Sequence, residues 1–383
     1  MSFLINSFFL ATTALSFFYA SHDGNNTDLS DVGSIASAGT ITIPSAWDGR
    51  VVRQSIGSDR SSTAYTANGN KGGAGYDGMP KASMSTGAGS RDGGTAYGAP
   101  VVVATGDTFT GTNLGTADGS WQCVELFPST LKYALVNRIT SSFSVGTTDT
   151  MVDWNNEVAD TDGFHDNATN PSRLTVPSGV TRVRITANIE VASAGGQLAV
   201  TIYKNGSTTG YIFDTSGNFV NICSLPLTVT SGDYFQIAVA CTTATSVSVS
   251  NASWACIEVM DPALNVLSST SSTTTMSSGI TNEQVIGSQT VPAGVTRIRA
   301  GALGQRERTS GSALLKIQKN SADFAGMGTS MANTTGTDYA YAMTGIIEVT
   351  PGDVIRFTCA TDAGATNWGA TTYWIEEVAA VTS

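Results

Sequence analysis

Charged side chains are scarce in this chain, and basic ones are scarcer still. Only 13% of the 383 residues are charged, and the 19 lysines and arginines form no cluster. Binding to nucleic acid needs a concentrated basic surface, so we expect no nucleic-acid partner. The net charge of −11 is spread along the chain. Scattered excess acid supports solubility, and a low charge density suits a protein that assembles with copies of itself.

The residue types that carry catalysis and metal binding are also few. There are two histidines, His22 and His165, and no Ser-His-Asp, Cys-His or HExxH arrangement can be assembled around them. The five cysteines include no CxxC pair. We therefore expect no enzyme and no cofactor, with buried free thiols as the state of the cysteines. A bridge between Cys241 and Cys256 is the alternative.

Glycine and small polar residues make up much of what is present. The chain has 41 glycines, abundant serine and threonine, and 41% hydrophobic residues. Long helices need more alanine, leucine and charged residues, whereas β-branched and turn-forming residues favour strands. The composition therefore predicts an all-β protein with several packed cores and many turns.

Three landmarks recur along the sequence and indicate three related domains. An apolar strand entered through a proline recurs three times: after Pro44 as Arg50-Val-Val-Arg53, after Pro177 as Val180-Thr-Arg-Val-Arg184, and after Pro292 as Val295-Thr-Arg-Ile-Arg299. A Gly-Asp turn that opens a strand follows each of these, at Gly106-Asp107, Gly232-Asp233 and Gly352-Asp353. Each unit closes with an aromatic strand that ends in glutamate, at Glu125, Glu258 and Glu376. A Lys-Asn pair, Lys204-Asn205 and Lys319-Asn320, marks a hairpin in the last two units.

These landmarks divide the chain into a short N-terminal segment and three domains. The segment covers residues 1–33, and the domains cover 34–130, 135–262 and 263–383. The first domain is the most divergent, because its glycine- and serine-rich middle, from Gly57 to Gly98, suggests long loops. We expect the stretch from Leu131 to Asn137 to be a short connector. The Ser/Thr-rich stretch 268–275 is either a linker or an edge strand.

The N-terminal segment is unusually apolar. Residues 1–20 resemble a secretory signal, but they lack a basic start and are interrupted by Asn6, Thr12 and Thr13. The interruptions also make a membrane-spanning helix improbable, so we expect no membrane span. We expect residues 1–20 to be an uncleaved anchoring or assembly segment that contacts a partner protein or sibling chains. A signal peptide is the alternative.

The second domain resembles the C1q/TNF-like jelly rolls of bacterial and phage proteins. The resemblance lies in the acidic segment 152–166, the strand ending at Pro177, the Lys204-Asn-Gly hairpin, the turn at Gly232 and the closing strand at Trp254. It covers about a third of the chain, and the third domain shares its strand, Lys-Asn and Gly-Asp landmarks. The resemblance implies three tandem jelly-roll-like β-sandwich domains that form homotrimers, stacked as tiers along one axis.

This resemblance implies an expected function. Stacked trimeric tiers resemble phage head fibres, capsid decoration proteins and tail-fibre tips. We therefore expect a non-enzymatic virion structural protein on the particle surface, attached to other virion proteins through residues 1–20 and in contact with host surface glycans. The alternative is a secreted, extracellular bacterial C1q-like adhesin or lectin. A glycan-degrading enzyme is a third hypothesis, in which Glu157, Asp160 and Asp162 are the first candidates for catalytic carboxylates.

Two sets of residues are candidates for binding sites. Asp160 and Asp162 stand two positions apart before Gly163, and together with Asp166 they could supply oxygen ligands to Ca²⁺; a surface turn or a trimer contact is the alternative. Aromatic side chains stack on sugars through their apolar faces. The candidates for contact with glycans or a host surface are Tyr65, Tyr76, Tyr97 and Trp368. Packing within loops or between subunits is the alternative role for these aromatic residues.

Overall fold

The computed structural model describes most of the chain. The residues that it does not describe are 1–16, 22–39, 62–64, 85–90, 113–120, 193–196, 216–217, 248–249, 272–273, 277–278, 309–311, 333–335, 362–365 and 380–383. The described residues form 32 strands and one short 3-10 helix, Ser45–Trp47. No helix among them is long and apolar enough to cross a membrane.

The first domain contains nine strands. They are β1 (Phe17–Ser21), β2 (Thr40–Thr42), β3 (Val51–Ser61), β4 (Tyr65–Lys71), β5 (Lys81–Met84), β6 (Arg91–Tyr97), β7 (Val101–Val102), β8 (Thr108–Thr112) and β9 (Trp121–Leu126). One sheet has the order β1-β9-β3-β6, with β7 also on β3, and the other has the order β2-β8-β4-β5. All pairs are antiparallel.

The second domain contains thirteen strands. They are β10 (Tyr133–Arg138), β11 (Phe143–Val145), β12 (Thr150–Met151), β13 (Asn156–Asp160), β14 (Leu174–Thr175), β15 (Arg182–Glu190), β16 (Leu198–Lys204), β17 (Ser207–Thr215), β18 (Phe219–Cys223), β19 (Leu227–Thr228), β20 (Tyr234–Cys241), β21 (Thr245–Val247) and β22 (Ser250–Val259). One sheet has the order β13-β10-β22-β15-β18, with β19 on β15. The other has the order β12-β20-β16-β17, with β14 on β20, and β11 pairs with β21.

The third domain contains ten strands. They are β23 (Val266–Thr270), β24 (Thr274–Met276), β25 (Gly279–Thr290), β26 (Arg297–Arg308), β27 (Ser312–Lys319), β28 (Ala322–Ala332), β29 (Gly336–Met343), β30 (Ile347–Glu348), β31 (Val354–Thr361) and β32 (Thr366–Glu377). One sheet has the order β23-β32-β26-β29, with β24 on β32 and β30 on β26, and the other has the order β25-β31-β27-β28.

The three domains share one strand order, which is that of a jelly roll. In each, the last strand of the domain lies between an early strand and the arginine-bearing strand: β9 between β1 and β3, β22 between β10 and β15, and β32 between β23 and β26. The predicted all-β fold of three tandem jelly-roll-like sandwiches is therefore confirmed. We call the sheet that contains these strands the central sheet of its domain, and its partner the outer sheet.

Several local expectations change with the structure. Strands β3 to β6 run through the interval from Gly57 to Gly98, so this interval is not simply a set of long loops. The expected connector Leu131 to Asn137 is largely strand β10, and every residue of this strand is buried. The Ser/Thr-rich stretch 268–275 contributes to the edge strands β23 and β24, both paired with β32. Regular pairing replaces loop in each case because a neighbouring strand satisfies the backbone groups.

Part of the expected N-terminal segment belongs to the first domain. Strand β1 pairs with β9, with Phe17 opposite Glu125 and Ser21 opposite Trp121. Strands β10 and β23 hold the same place in the other two domains. Residues 17–21 are therefore the first strand of a jelly roll, and the proposed anchor is reduced to residues 1–16, which lie outside the described part of the chain.

The central sheets are buried on both faces. Along β15, Val183, Ile185, Ala187 and Ile189 pack into the core of the second domain, and the residues between them are also buried. Strand β9 is buried at every position as well. A jelly roll alone would expose one face of this sheet. The other two domains cover that face, so the three domains lie side by side, and the expected arrangement as stacked tiers is wrong.

The Gly-Asp turns have the same structure in all three domains. Gly106, Gly232 and Gly352 have φ values of 83°, 87° and 94°, a region that favours glycine. In the second domain Asp233 accepts hydrogen bonds from the Thr230 N–H and from Asn205 Nδ2.

The lysine that pairs with each turn aspartate also recurs. Lys204 lies 2.8 Å from Asp233, Lys71 lies 2.8 Å from Asp107, and Lys319 lies 3.6 Å from its aspartate, Asp353. Lys71 thus gives the first domain a lysine equivalent to those of the Lys-Asn pairs, which the sequence comparison of the three units had not found.

Replacing Asp233 by asparagine tests the contribution of this turn. Hydrogen bonds from Lys204 and Asn205 hold the pKa of Asp233 well below its ordinary value. A depressed pKa contributes stability above the unfolded-state pKa of about 4, and this stability is lost as the pH falls below it. We expect Asp233→Asn to lower the free energy of unfolding at pH 7 by about 1 kcal/mol.

Chemical denaturation between pH 2 and pH 7 measures this effect. The difference between Asp233→Asn and the unmodified protein should shrink as the pH falls below about 4. Asp153→Asn, at an exposed carboxylate, is the matched control and should have little effect. A difference that is independent of pH would contradict the role given to the Asp233 charge.

Candidate functional site: the charged ring between the three domains

Six charged residues from the three central sheets meet where the domains come together. We call them the central ring: Arg53 and Glu125 of the first domain, Arg184 and Glu258 of the second, and Arg299 and Glu376 of the third. Within each domain the arginine and the glutamate are directly opposite each other on adjacent strands. Side chains in such a pair project from the same face of the sheet.

Each arginine of the ring joins two glutamates. Arg53 Nη1 donates to both carboxylate oxygens of Glu258 at 3.0 Å, and Arg53 Nη2 donates to Glu125 at 3.1 Å. Arg184 Nη1 donates to Glu258 Oε1 at 3.0 Å, and its Nη2 donates to Glu376. Each of these arginines therefore binds the glutamate of its own domain and the glutamate of the next domain.

Arg299 closes the ring. Its Nη1 donates to Glu376 Oε1 at 2.6 Å, and its Nη2 donates to Glu125 of the first domain. The interdomain ion pairs thus run from the first domain to the second, from the second to the third, and from the third back to the first. Three domains of one chain are arranged cyclically around a shared centre.

The ring is almost completely buried. Each of its six residues is at most 7% exposed. Burial alone would raise the pKa of Glu125, but the charges of Arg299 and Arg53 outweigh it and lower the pKa below its ordinary value. Burial opposes the charge of Arg53, while Glu258 and Glu125 keep its pKa above the ordinary value. Charges this deeply buried are tolerated only when each is paired and hydrogen-bonded.

Tyr97 lies beside the ring and contacts all three domains. Its hydroxyl donates to the carbonyl of Thr344, and its backbone N–H donates to Asn221 Oδ1 at 2.8 Å. The guanidinium carbons of Arg53 and Arg299 lie 5.5 and 5.3 Å from the centre of its ring. Tyr97 is completely buried, so the prediction that it contacts glycans is wrong. It sits at the centre because its aromatic face accommodates cations and its hydroxyl finds a backbone acceptor.

The remaining aromatic candidates have different surroundings. Tyr76 packs edge-on against Phe109, with ring centres 5.8 Å apart, and its hydroxyl donates to Gln54 Oε1 at 3.2 Å. These contacts tie it to the first domain. Tyr65 lies on β4 and Trp368 on β32. Their side chains lie outside what the structure describes, so a glycan contact by these two residues stays a prediction.

The acidic loop of the second domain is an internally bonded turn. Asp160 accepts hydrogen bonds from four successive backbone N–H groups, those of residues 162 to 165, at 2.8 to 3.2 Å. Asp162 pairs with Lys132 at 2.8 Å, and Asp166 accepts the N–H groups of residues 168 and 169. The three carboxylates therefore serve separate local contacts, and the geometry gives no support to the predicted Ca²⁺ site.

The described part of the chain contains no group of three or more His, Cys, Asp or Glu side chains placed to bind a metal. Glu157, the remaining candidate for a catalytic carboxylate, lies 3.0 Å from Nδ1 of the buried His165. The Nε2 of this histidine lies 3.0 Å from the carbonyl oxygen of Pro171. This histidine fastens strand β13 to the loop after it.

The cysteines are buried and free, as expected, and no bridge joins Cys241 to Cys256. Cys123 and Cys256 lie two residues before the ring glutamates of their strands, and Trp374 has this place in the third domain. Burial raises the pKa of the Cys123 thiol to about 12. These thiols fill space beside the ring and are held in their protonated form.

A cavity of about 120 Å³ lies over the central ring. Five of the six ring residues line it: Arg53, Glu125, Arg184, Arg299 and Glu376. Apolar side chains of all three domains form most of the remaining wall: Leu126, Phe127, Pro128, Leu131, Val259, Met260, Leu264, Ile346, Val378 and Ala379. We call it the end cavity. The class that the fold and this site define is a single-chain, threefold-like array of jelly-roll domains.

Comparisons with solved structures give matches of low identity and low TM-score. No protein-family model matches the chain, and no curated protein sequence matches it. Murine APRIL aligns with 34% of this chain and 100% of its own, at 9% identity and a TM-score of 0.28. T=1 particles derived from infectious bursal virus align over 64% and 68%, at 11% identity and a TM-score of 0.23. The PBSX exported protein XepA aligns over 64% and 86%, at 10% identity and a TM-score of 0.16.

Replacing one ring arginine tests the dependence of the fold on the ring. Arg299→Met removes the bonds to Glu125 and Glu376 and leaves both carboxylates buried with one partner fewer. Breaking a buried ion pair from one side costs about 3–5 kcal/mol, so we expect a loss of this size in the free energy of unfolding. Chemical denaturation monitored by tryptophan fluorescence measures it.

Arg356→Met is the matched control, since Arg356 lies in the outer sheet of the same domain on β31 and is only partly buried. We expect it to change the free energy of unfolding by less than about 1 kcal/mol. Equal losses in Arg299→Met and Arg356→Met would contradict the special role of the ring.

Proposed function

We propose that the chain is a non-enzymatic structural protein on the surface of a virus particle, a phage decoration, head-fibre or tail-fibre component. The observation that carries the proposal is the cyclic closure of three jelly rolls by the central ring. This closure produces a stable unit whose centre is filled by structural ion pairs. The outer sheets and loops remain available for contact with the particle or with a host surface.

In this proposal one chain performs the role that three chains have in a homotrimer. The face of each central sheet that would bind sibling subunits is already covered by the other two domains. A homotrimer of whole chains stays an untested expectation, and it would need a surface other than the central ring. The closed ring therefore favours a chain that is complete as a threefold-like unit by itself.

Sedimentation velocity on the full chain at micromolar concentration tests this point. We expect one species with the mass of a single chain, because the ring satisfies its six charges within the chain. A stable species of three times that mass would overturn the expectation of a unit that acts as a single chain, and would favour a homotrimer assembled through a surface other than the central ring. Repeating the measurement at high salt distinguishes surface contacts between chains, which salt weakens, from buried ones.

The location on a particle is tested by purification. We expect mass spectrometry to find the chain in purified virions, and an electron microscopy map to show a threefold-like density on the particle surface. Absence from particles, together with secretion of a chain that begins near Ser21, would overturn the proposal and favour the secreted adhesin. Cleavage there would also remove four of the five residues of β1.

A further inference from the structure

Strands β10 and β23 are the leading strands of the central sheets in the second and third domains, and they are equivalent position by position. In the second domain Tyr133 of β10 is opposite the ring glutamate Glu258. In the third domain Val266 of β23 is opposite the ring glutamate Glu376. The two strands can therefore be compared residue by residue, with Val266 equivalent to Tyr133.

In the second domain the outer edge of β10 is covered by another strand of the same chain. Strand β13 pairs with it in antiparallel orientation along residues 134–137. At one end of this pairing, the N–H of Thr161 donates to the carbonyl of Tyr133 at 3.1 Å. At the other end, the N–H of Asn155 donates to the carbonyl of Asn137 at 3.3 Å. The backbone groups of Tyr133 and Asn137 thus face the added strand, and all of β10 is buried.

In the third domain no strand of the described part of the chain covers the equivalent edge of β23. Strand β23 ends the order of its sheet, and β24 pairs with β32 and not with β23. The N–H of Ser271 donates to the carbonyl of Thr371, which lies on β32. The carbonyl of Asn265 accepts a hydrogen bond from the N–H of Glu377 on the same strand. The odd-numbered positions of this segment therefore bond to β32.

The outer edge of β23 offers the same backbone groups that β10 uses to bind β13. Successive residues of an antiparallel strand direct their N–H and C=O groups alternately toward and away from a given neighbour. Val266, Ser268 and Thr270 therefore direct these groups away from β32. Ser268 and Thr270 are exposed, and Val266 is partly buried. Val266 and Thr270 stand where Tyr133 and Asn137 bond the strand that covers β10.

Strand β23 lacks the charges, prolines and bulges with which exposed edge strands are commonly protected. Its sequence is Val-Leu-Ser-Ser-Thr, and its pairing with β32 is regular over all five residues. Protein sheets use lysine, proline or a bulge to prevent an open edge from pairing with another chain. A regular, uncharged and exposed edge favours a surface that is used for binding.

We infer that the outer edge of β23 binds an extended segment of a partner protein, which adds to the central sheet as an antiparallel strand. The segment takes the place that β13 has in the second domain. It is uncharged and rich in threonine and serine, because three of the five residues of β23 carry hydroxyl groups. Hydroxyl side chains on paired strands stabilise each other, and Thr270 and Thr372 already form such a pair, with their oxygens 3.4 Å apart.

This binding surface goes beyond the proposed function and does not depend on a location in a virion. It stands on the strand register, the exposure of β23 and the comparison with β10. It also lies apart from the central ring, so its occupation leaves the six ring charges paired as they are.

A capped peptide, Thr-Val-Thr-Val-Thr-Val-Thr, is the probe that tests the inference on the full chain. An added strand bonds the outward N–H groups of β23. We expect saturable binding that slows hydrogen exchange at the N–H groups of Ser268 and Thr270 by at least about threefold. The N–H groups of Leu267 and Ser269, which face β32, should change less. Hydrogen exchange followed by NMR measures each position, and Thr-Val-Pro-Val-Pro-Val-Thr is the control peptide that should not bind.

Proline substitutions separate binding from folding. Ser268→Pro removes an outward N–H, and an edge strand tolerates proline at such a position. We expect this variant to unfold within about 2 °C of the unmodified chain and to bind the probe at least about tenfold more weakly. Ser268→Ala keeps the N–H and is the matched control, with an affinity within about threefold of the unmodified chain. Ser269→Pro removes an N–H that faces β32 and should lower the unfolding temperature by about 5 °C or more.

Four results would overturn the inference. The first is an absence of saturable probe binding, and the second is equal binding by Ser268→Pro and the unmodified chain. The third is a Ser268→Pro variant as unstable as Ser269→Pro, since the N–H of Ser268 would then be bonded within the fold. The fourth is a dimer of whole chains that Ser268→Pro dissociates, which would assign the edge to a second copy.

Discussion

The structure depends on a ring of six buried charges that no single domain can satisfy. Each carboxylate is shared by two arginines, and one of these belongs to another domain. Removing such charges from water is costly, and the cost is offset only while every partner is present. If one domain were separated, one arginine and one glutamate of the other two domains would lose their interdomain partners. The ring therefore couples the stability of the three domains.

The coupling also explains the composition of the central sheets. Their inner faces carry Val and Ile for the core of each jelly roll, while the opposite faces carry Arg, Glu, Cys and Asn that are equally buried. Polar contacts such as Trp254 Nε1 to the carbonyl of Met79, at 2.9 Å, and Asn221 Nδ2 to the carbonyl of Tyr97, at 2.9 Å, fix how the first two domains pack. Apolar packing alone is less specific about orientation than these directional bonds.

Sequence patterns predicted the three domains, the all-β fold and the free buried thiols, because these follow from local periodicity and composition. They did not predict the ring. Alternation such as Arg182-Val-Arg184-Ile is typical of a strand with one solvated face, and the partners of Arg184 lie 74 and 192 residues away. The signal was nevertheless present, since an arginine strand and a strand ending in glutamate recur in every unit. The prediction that Tyr97 contacts glycans was wrong because the glycine-rich sequence around it resembles an exposed loop.

The central claim is that the three domains lie side by side around the ring, and small-angle X-ray scattering from the full chain tests it most directly. The described arrangement predicts a radius of gyration of about 21 to 25 Å for one chain. Three domains stacked end to end would give more than about 30 Å. A value in the lower range supports cyclic closure by the ring, and a value in the upper range for a monomeric chain would contradict it.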